Sequence, residues 1–221
     1  MRTRTVLFAV LALFGASLAS HAGVVYDVSL DTTALIGPSS YLGPFYVAFE
    51  FADGSGTLDG NNAVILSDFQ FGGGGPVGSP ITYIGVGESG SLDSGTVTMV
   101  DDDPVGFFAQ GFWPGTTLSF LLQSTTNVDP CCTYDEFTFG IMDPSFSYYI
   151  PTTAGDGTDL MSLTLDDPVN PTVATYSSDL TQTYIALGPP LVSETPEPAT
   201  WLPVALILGG GCLRRRWWAR P

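Results

Sequence analysis

Lysine is absent from all 221 residues, and the six arginines stand only at the two ends, as Arg2, Arg4, Arg214, Arg215, Arg216 and Arg220. Histidine occurs once, as His21. Between the ends no side chain carries a full positive charge. That excludes a Ser-His-Asp or Cys-His pair, a Schiff-base lysine, a histidine metal site and an arginine clamp from the bulk of the chain. Only carboxylate chemistry is left. A glycosidase needs two carboxyl groups about 5 to 9 Å apart across a cleft, for which residues such as Glu50, Glu88, Asp135 and Glu136 are candidates. Each also suits a strand edge or turn, where a carboxylate keeps the surface soluble and blocks edge pairing. The expectation is therefore a protein that is not an enzyme.

All 22 acidic residues lie from Asp27 to Glu197. The chain between its terminal segments thus has a formal charge near −22, against −16 for the whole sequence. Such a surface repels phosphate backbones, which excludes nucleic acid as a partner, and it resists anionic membranes and acidic polysaccharides. It also repels itself, so salt or divalent cations should stabilise it. A high-salt habitat accounts for the same composition.

Long apolar runs are lacking except at the ends. Arg2 and Arg4 precede an apolar stretch from Val6 to Leu18, and Ser20-His21-Ala22 offers small side chains at the positions that a signal peptidase reads. Residues 1–22 are expected to be a signal peptide, with the exported chain starting at Gly23. Near the other end, Pro196-Glu197-Pro198 is followed by an apolar span over residues 199–213 and a basic tail over 214–221. The span covers about 15 residues, or about 22 Å of helix against a hydrocarbon core of about 30 Å. Pro203 and Gly209-Gly210-Gly211 weaken that helix further. The arginines Arg214, Arg215 and Arg216 should stay cytoplasmic, leaving the acidic bulk across the inner membrane. Trp201, Trp217 and Trp218 flank the span at headgroup depth.

Motif, short span and terminal arginines in that order, behind an N-terminal signal, resemble the PEP-CTERM sorting signal. The resemblance implies an exported protein of a Gram-negative exopolysaccharide producer. Its tail, at 196–221, would be recognised through Pro196, Glu197 and Pro198 by an exosortase-type membrane enzyme, held transiently at the inner membrane, and removed on the way to the cell surface or biofilm matrix. Phrases such as Gly43 to Phe51, Ser67 to Gly74, Leu118 to Gln123 and Asp135 to Asp143 resemble themes in small β-rich domains that carry such tails. They bring no activity with them.

Residues 23–190 have the length of one domain, with 191–195 as a linker after Gly188-Pro189-Pro190. Short runs rich in β-branched and aromatic residues are separated by Gly, Pro, Asn and Asp. They are Val24–Leu30, Phe45–Phe51, Ala63–Phe71, Ile81–Val86, Thr96–Val100, Gly106–Phe112, Thr117–Gln123, Glu136–Met142, Ser145–Ile150, Leu160–Leu165, Val173–Tyr176 and Thr183–Leu187. Alternation is clear in Phe45-Tyr46-Val47-Ala48-Phe49-Glu50-Phe51. An all-β antiparallel sandwich of jelly-roll type follows.

No cofactor is required by these patterns, and Ca²⁺ is the one candidate, since it takes six to eight oxygen ligands. Asp53 and Asp59, in Asp53-Gly54-Ser55-Gly56-Thr57-Leu58-Asp59-Gly60-Asn61-Asn62, and the run Asp101-Asp102-Asp103 are the candidate ligands, with Asp166, Asp167 and Asn170 as a third place. Asp, Asn and Gly dominate turns for backbone reasons too. Cys131 and Cys132 are adjacent in a loop and could form a vicinal disulfide, cross-link another molecule or remain thiols. A carbohydrate-binding or carbohydrate-acting module is the competing class, with Trp113, Tyr148 and Tyr149 as sugar-facing rings and exopolysaccharide as partner.

Overall fold

The computed structural model describes residues 24–37, 43–83, 87–128, 133–165 and 172–195. The signal segment, Cys131 and Cys132, Asp166, Asp167 and Asn170, and the tail from Pro196 through Arg214, Arg215 and Arg216 lie outside them. The strands are β1 (Val24–Asp31), β2 (Phe45–Ala52), β3 (Ala63–Gln70), β4 (Gly75–Tyr83), β5 (Ser89–Ser91), β6 (Thr96–Val100), β7 (Val105–Trp113), β8 (Thr117–Ser124), β9 (Glu136–Met142), β10 (Met161–Thr164), β11 (Val173–Thr175) and β12 (Leu191–Thr195). One 3₁₀ turn, Thr33–Leu35, is the only helical piece among the described residues. The pairings are antiparallel and make two sheets, ordered β12-β1-β8-β3-β6-β5 and β11-β10-β9-β2-β7-β4. Packed face to face, they form the expected all-β sandwich.

Side-chain alternation fixes which face of each strand is inside. In β2 the rings and branches of Phe45, Val47, Phe49 and Phe51 are buried, while Tyr46 and Glu50 point outward. Phe49 stands at the centre of the core, its ring 5.5 to 6.3 Å from those of Phe69, Phe108, Phe120, Phe137 and Phe139. Those partners come from β3, β7, β8 and β9, so one residue joins both sheets. Offset and edge-on rings at such spacings add to the burial of apolar area itself.

The two ends of the sandwich differ. At the first end lie Val24, the end of β8 at Ser124, the start of β3, and the β6–β7 turn with Asp101, because Val24 and Val64 both pair with Ser124 and Ala63 pairs with Val100. The second end holds Asp31, Trp113 and Asp143. β12 runs antiparallel to β1 in the register Val25 to Thr195 through Ser29 to Leu191. The two termini of the described domain therefore emerge side by side at the first end.

Several elements depart from expectation. Leu191–Thr195, read as a linker, is an edge strand; its mostly exposed side chains leave no apolar alternation to read, and backbone pairing with β1 holds it in place. Ser145–Ile150 and Thr183–Leu187 are not strands. The first is a turn with an isolated bridge from Tyr149 to Met142, and the second begins in a turn closed on Asp179. β4 begins at Gly75, well before Ile81, with an irregularity between Val77 and Ile81 where Gly78 has φ +74°.

The segment after β9 folds back over the outer face of the second sheet. There Ala48, Ala109 and Met142 are buried beneath Tyr46, Phe107, Phe146 and Tyr149. A small satellite core thus forms outside the sandwich, and it sets the position of the cleft described next.

Candidate functional site

Two groups of polar residues stand out, one at each end of the sandwich. At the first end Asn62, fully buried, is the hub. Its backbone N–H donates to Asp101 Oδ1 at 3.0 Å, and its amide donates to Asp135 Oδ2 and to the Asn127 carbonyl, both at 2.8 Å. Its own Oδ1 accepts from Thr125 Oγ1 and from Asn127 N–H. Asp135 also accepts from Gly54 N–H at 3.0 Å. Gly54 is required here because a Cβ would fall 2.0 Å from the Tyr134 carbonyl oxygen. Three connections, β2–β3, β6–β7 and β8–β9, are tied together by this one network.

Asp101 and Asp135 face each other directly. Burial first, then the neighbouring Asp135, pushes the Asp101 carboxyl up to about 7 against the Asn62 N–H that favours its ionised form. Asp101 Oδ2 is buried without a hydrogen-bond donor, so a shared proton is what relieves this pair. Glu88 is in a similar position, with both carboxylate oxygens buried and unpartnered among the described residues. Burial raises it, and Asp103 and Asp102 add to the shift.

On the outer face of the second sheet, towards the other end, lies an open cleft of about 510 Å³. Two turns wall it. Asp143 accepts from Ser145 Oγ at 2.8 Å and from Ser147 N–H at 3.2 Å, closing the turn that carries Phe146 and Tyr148. Phe146 has φ +55°, and its ring packs 4.8 Å from that of Tyr46. Asp179 does the same for the second turn, accepting from Thr181 N–H at 2.9 Å, Thr181 Oγ1 at 2.7 Å and Gln182 Nε2 at 2.7 Å. Tyr148 and Tyr184, one on each turn, are each 73% exposed.

Tyr149 lies along the floor of the cleft. Its hydroxyl donates to Glu50 Oε1 at 2.5 Å, and its ring rests on Gly140, where a Cβ would come within 2.8 Å of Tyr149 Cε1. Burial and then the Glu50 carboxylate hold this phenol well above its ordinary value. Asp159 behind it is pushed up to about 7 by burial and by the neighbouring Asp156. Burial acts upward on Asp156 as well, but the N–H and hydroxyl of Thr158 outweigh it and keep that residue low. The two neighbouring carboxyls are thus held in opposite directions, Asp159 up and Asp156 down.

Of the carboxylates considered for acid–base chemistry, Glu50 on the outer face of β2 and Glu136 at the start of β9 lie diagonally across the β2–β9 pairing, whereas Asp135 belongs to the Asn62 network and Glu88 stands before β5. Of the calcium candidates, Asp53 spends its oxygens on Gly56 N–H, Leu58 N–H and Ser55 Oγ, and Asp59 on the N–H and amide of Asn61. Asp101 faces Asp135, whereas Asp102 and Asp103 act on Glu88, so the three do not converge. Among the described residues no three His, Cys, Asp or Glu side chains are grouped to hold a metal, and no helix is long and apolar enough to cross a membrane. Trp113 is half exposed at the end of β7, outside the cleft, whereas Tyr148 and Tyr149 line it.

Sequence reasoning placed Asn62 only at the end of a candidate calcium loop and did not single out Asp143, Asp156, Asp159, Asp179, Gln182 or Tyr184. A signal for several of them exists. Asp31-x-Thr33, Asp53-x-Ser55, Asp143-x-Ser145, Asp156-x-Thr158 and Asp179-x-Thr181 each close a turn through the same aspartate-to-residue-two contact. Compared with family models, curated proteins and solved structures, the chain matches none.

Proposed function

We propose that this chain is an exported surface or extracellular-matrix protein of a Gram-negative exopolysaccharide producer, with a structural or adhesive role and the part of substrate in an exosortase-type sorting step. Signal peptidase removes residues 1–22. Pro196, Glu197 and Pro198 are then read while the apolar span holds them at the membrane and Arg214, Arg215 and Arg216 set the orientation.

One observation carries the structural side of this reading. β12 ends at Thr195, directly before Pro196, and it is hydrogen-bonded to β1 beside Val25. Every described strand therefore lies before the motif, so a cut beyond Pro198 leaves the strands from Val24 to Thr195 intact. Both terminal segments also leave from the same end, so the folded unit faces the membrane with one end only. The acidic surface suits the far side of the inner membrane, where cytoplasmic nucleic acid and its phosphates are absent.

Intact mass and location of the native protein test the reading, in the parent bacterium and in a strain without its exosortase. A chain that starts near Gly23, lacks the segment from about Ala199 onward, and reaches the surface only when the enzyme is present is the expected result. A full C-terminus retained equally in both strains would reduce the tail to a membrane anchor and overturn the sorting step.

A further inference from the structure

We propose that the cleft between the Asp143 and Asp179 turns binds a segment of an uncharged polysaccharide, with the ring of Tyr148 against a sugar face. The inference goes beyond export and does not depend on it, since the cleft belongs to the folded domain.

Size and continuity come first. At about 510 Å³ the cleft falls within the roughly 300 to 1,000 Å³ of small-molecule sites. A second hollow of about 430 Å³ adjoins it along Leu180 to Ala186, sharing Gln182 and Thr183 and lined by Tyr184. Both are open to solvent. Open, adjoining hollows suit a polymer segment better than a single small molecule held in a closed pocket.

The lining has the two chemistries that a sugar presents. Pyranose rings have an apolar C–H face, which stacks on an aromatic ring, and an edge of hydroxyls, which pair with side chains that both donate and accept. Tyr148 supplies the face, while the oxygens of Ser147, Thr158, Gln182 and Thr183 supply acceptors, the donors of Ser147, Thr158 and Gln182 being directed at Ser145, Asp156 and Asp179. Tyr149 is committed to Glu50 and serves as a fixed floor.

Preorganisation separates this surface from an ordinary loop. Each wall is closed on its own aspartate, and the left-handed Phe146 is anchored by its ring on Tyr46. A backbone held in this way loses little conformational freedom on binding, which lowers the ordering cost that weak sugar contacts must overcome. A non-glycine residue held in this region of backbone space is also found more often at binding sites than elsewhere.

Charge selects the class of glycan. Asp143 lines the cleft, Asp156 bonds its lining residue Thr158, and Asp179 bonds its lining residue Gln182; no lysine or arginine occurs from Thr5 to Leu213. A uronate or sulfate would be repelled, and no side chain is present to neutralise it. A neutral chain meets no such cost, and its binding should be insensitive to salt.

Native affinity gels of the full-length protein in mild detergent provide the test. The gels carry hydroxyethylcellulose, soluble starch, galactomannan or the neutral polysaccharide fraction of the parent bacterium, with alginate as the anionic probe. Retardation by at least one neutral glycan, equal at about 0.05 and about 0.5 M salt, is expected, and none by alginate. Tyr148→Ala should weaken it about tenfold with an unchanged melting temperature. Trp113→Ala should bind like the parent. Failure with all four neutral glycans, binding unaltered by both Tyr148→Ala and Gln182→Ala, or retention on alginate would each overturn the proposal. None of these outcomes bears on C-terminal processing, which is read by mass.

Discussion

At the scale of single residues, the chain must manage buried carboxylates without a lysine or arginine to pair them. Asp101 and Asp159 lie near 7 because burial and an adjacent aspartate favour the protonated form. A carboxyl raised on folding stabilises the fold fully below its unfolded value near 4, and that contribution is lost as pH rises through 7. Asp31, Asp53, Asp156 and Asp179 are lowered by the donors of their own turns and act in the opposite sense, losing their contribution as pH falls below about 4. The stability maximum should lie at about pH 4 to 6. Thermal melts should show the parent losing about 2 to 8 °C between pH 5 and pH 8, in line with roughly 1 to 2 kcal/mol for a domain of this size. Asp101→Asn retains an oxygen for the Asn62 N–H and gains an N–H for Asp135. It should therefore melt higher than the parent at pH 8 and show a flatter profile; a variant that melts lower at pH 8 would contradict the shared proton. Aspartates that cap turns were open to reading from the recurring Asp-x-Ser/Thr spacing. The same composition resembles a calcium loop, and only the direction of the oxygens separates the two. Asn62 was legible only as the end of an oxygen-rich loop, and its part as a hub was not, because that part comes from loops far apart in the chain.

Elements explain why part of the fold was legible. β2 and β9 bury one face fully and keep polar or half-buried residues such as Glu50, Thr138 and Glu136 on the other, so their period of two survives in the sequence and their bounds fall within a residue of expectation. β12 buries no full row, so pairing rather than pattern holds it, and pairing is not written in the strand itself. The stretch from Ser145 to Ile150 has the aromatic content of a strand but serves as a cover on the outer face of the second sheet. Gly140 makes that cover possible by leaving room for the Tyr149 ring. Gly140→Val should displace the ring, break the Tyr149–Glu50 hydrogen bond and cost about 1 to 3 kcal/mol, seen as a lower melting temperature with loss of near-ultraviolet tyrosine dichroism. Tyr149→Phe should keep the ring in place and retain most of that dichroism. Of the cleft, the sequence revealed the rings Tyr148 and Tyr149 but not the second wall, since Asp179 to Tyr184 reaches them only through tertiary folding.

For the whole molecule, an excess of 22 acidic residues with no balancing base between the ends sets the response to ions. Screening shortens from about 30 Å at 0.01 M salt to about 8 Å at 0.15 M, so the melting temperature should climb with salt over that range. Calcium and magnesium at equal ionic strength should act alike, because Asp53 and Asp59 already direct their oxygens at local donors. A markedly larger effect of calcium would instead place a dedicated site on this surface.

The pairing of β12 with β1 also has a mechanical meaning. Its hydrogen bonds lie across the strand axis, and the strand runs from Leu191 at the interior of the sheet to Thr195 at the end where both termini emerge. A pull on the chain beyond Thr195, resisted by something grasped near Tyr148 towards the opposite end, is directed lengthwise along β12. The whole row of bonds from Leu191 to Thr195 then bears the load together in shear, instead of being peeled open one pair after another. A tether leaving from that point gives the domain its stiff direction along the line between its attachment and its cleft.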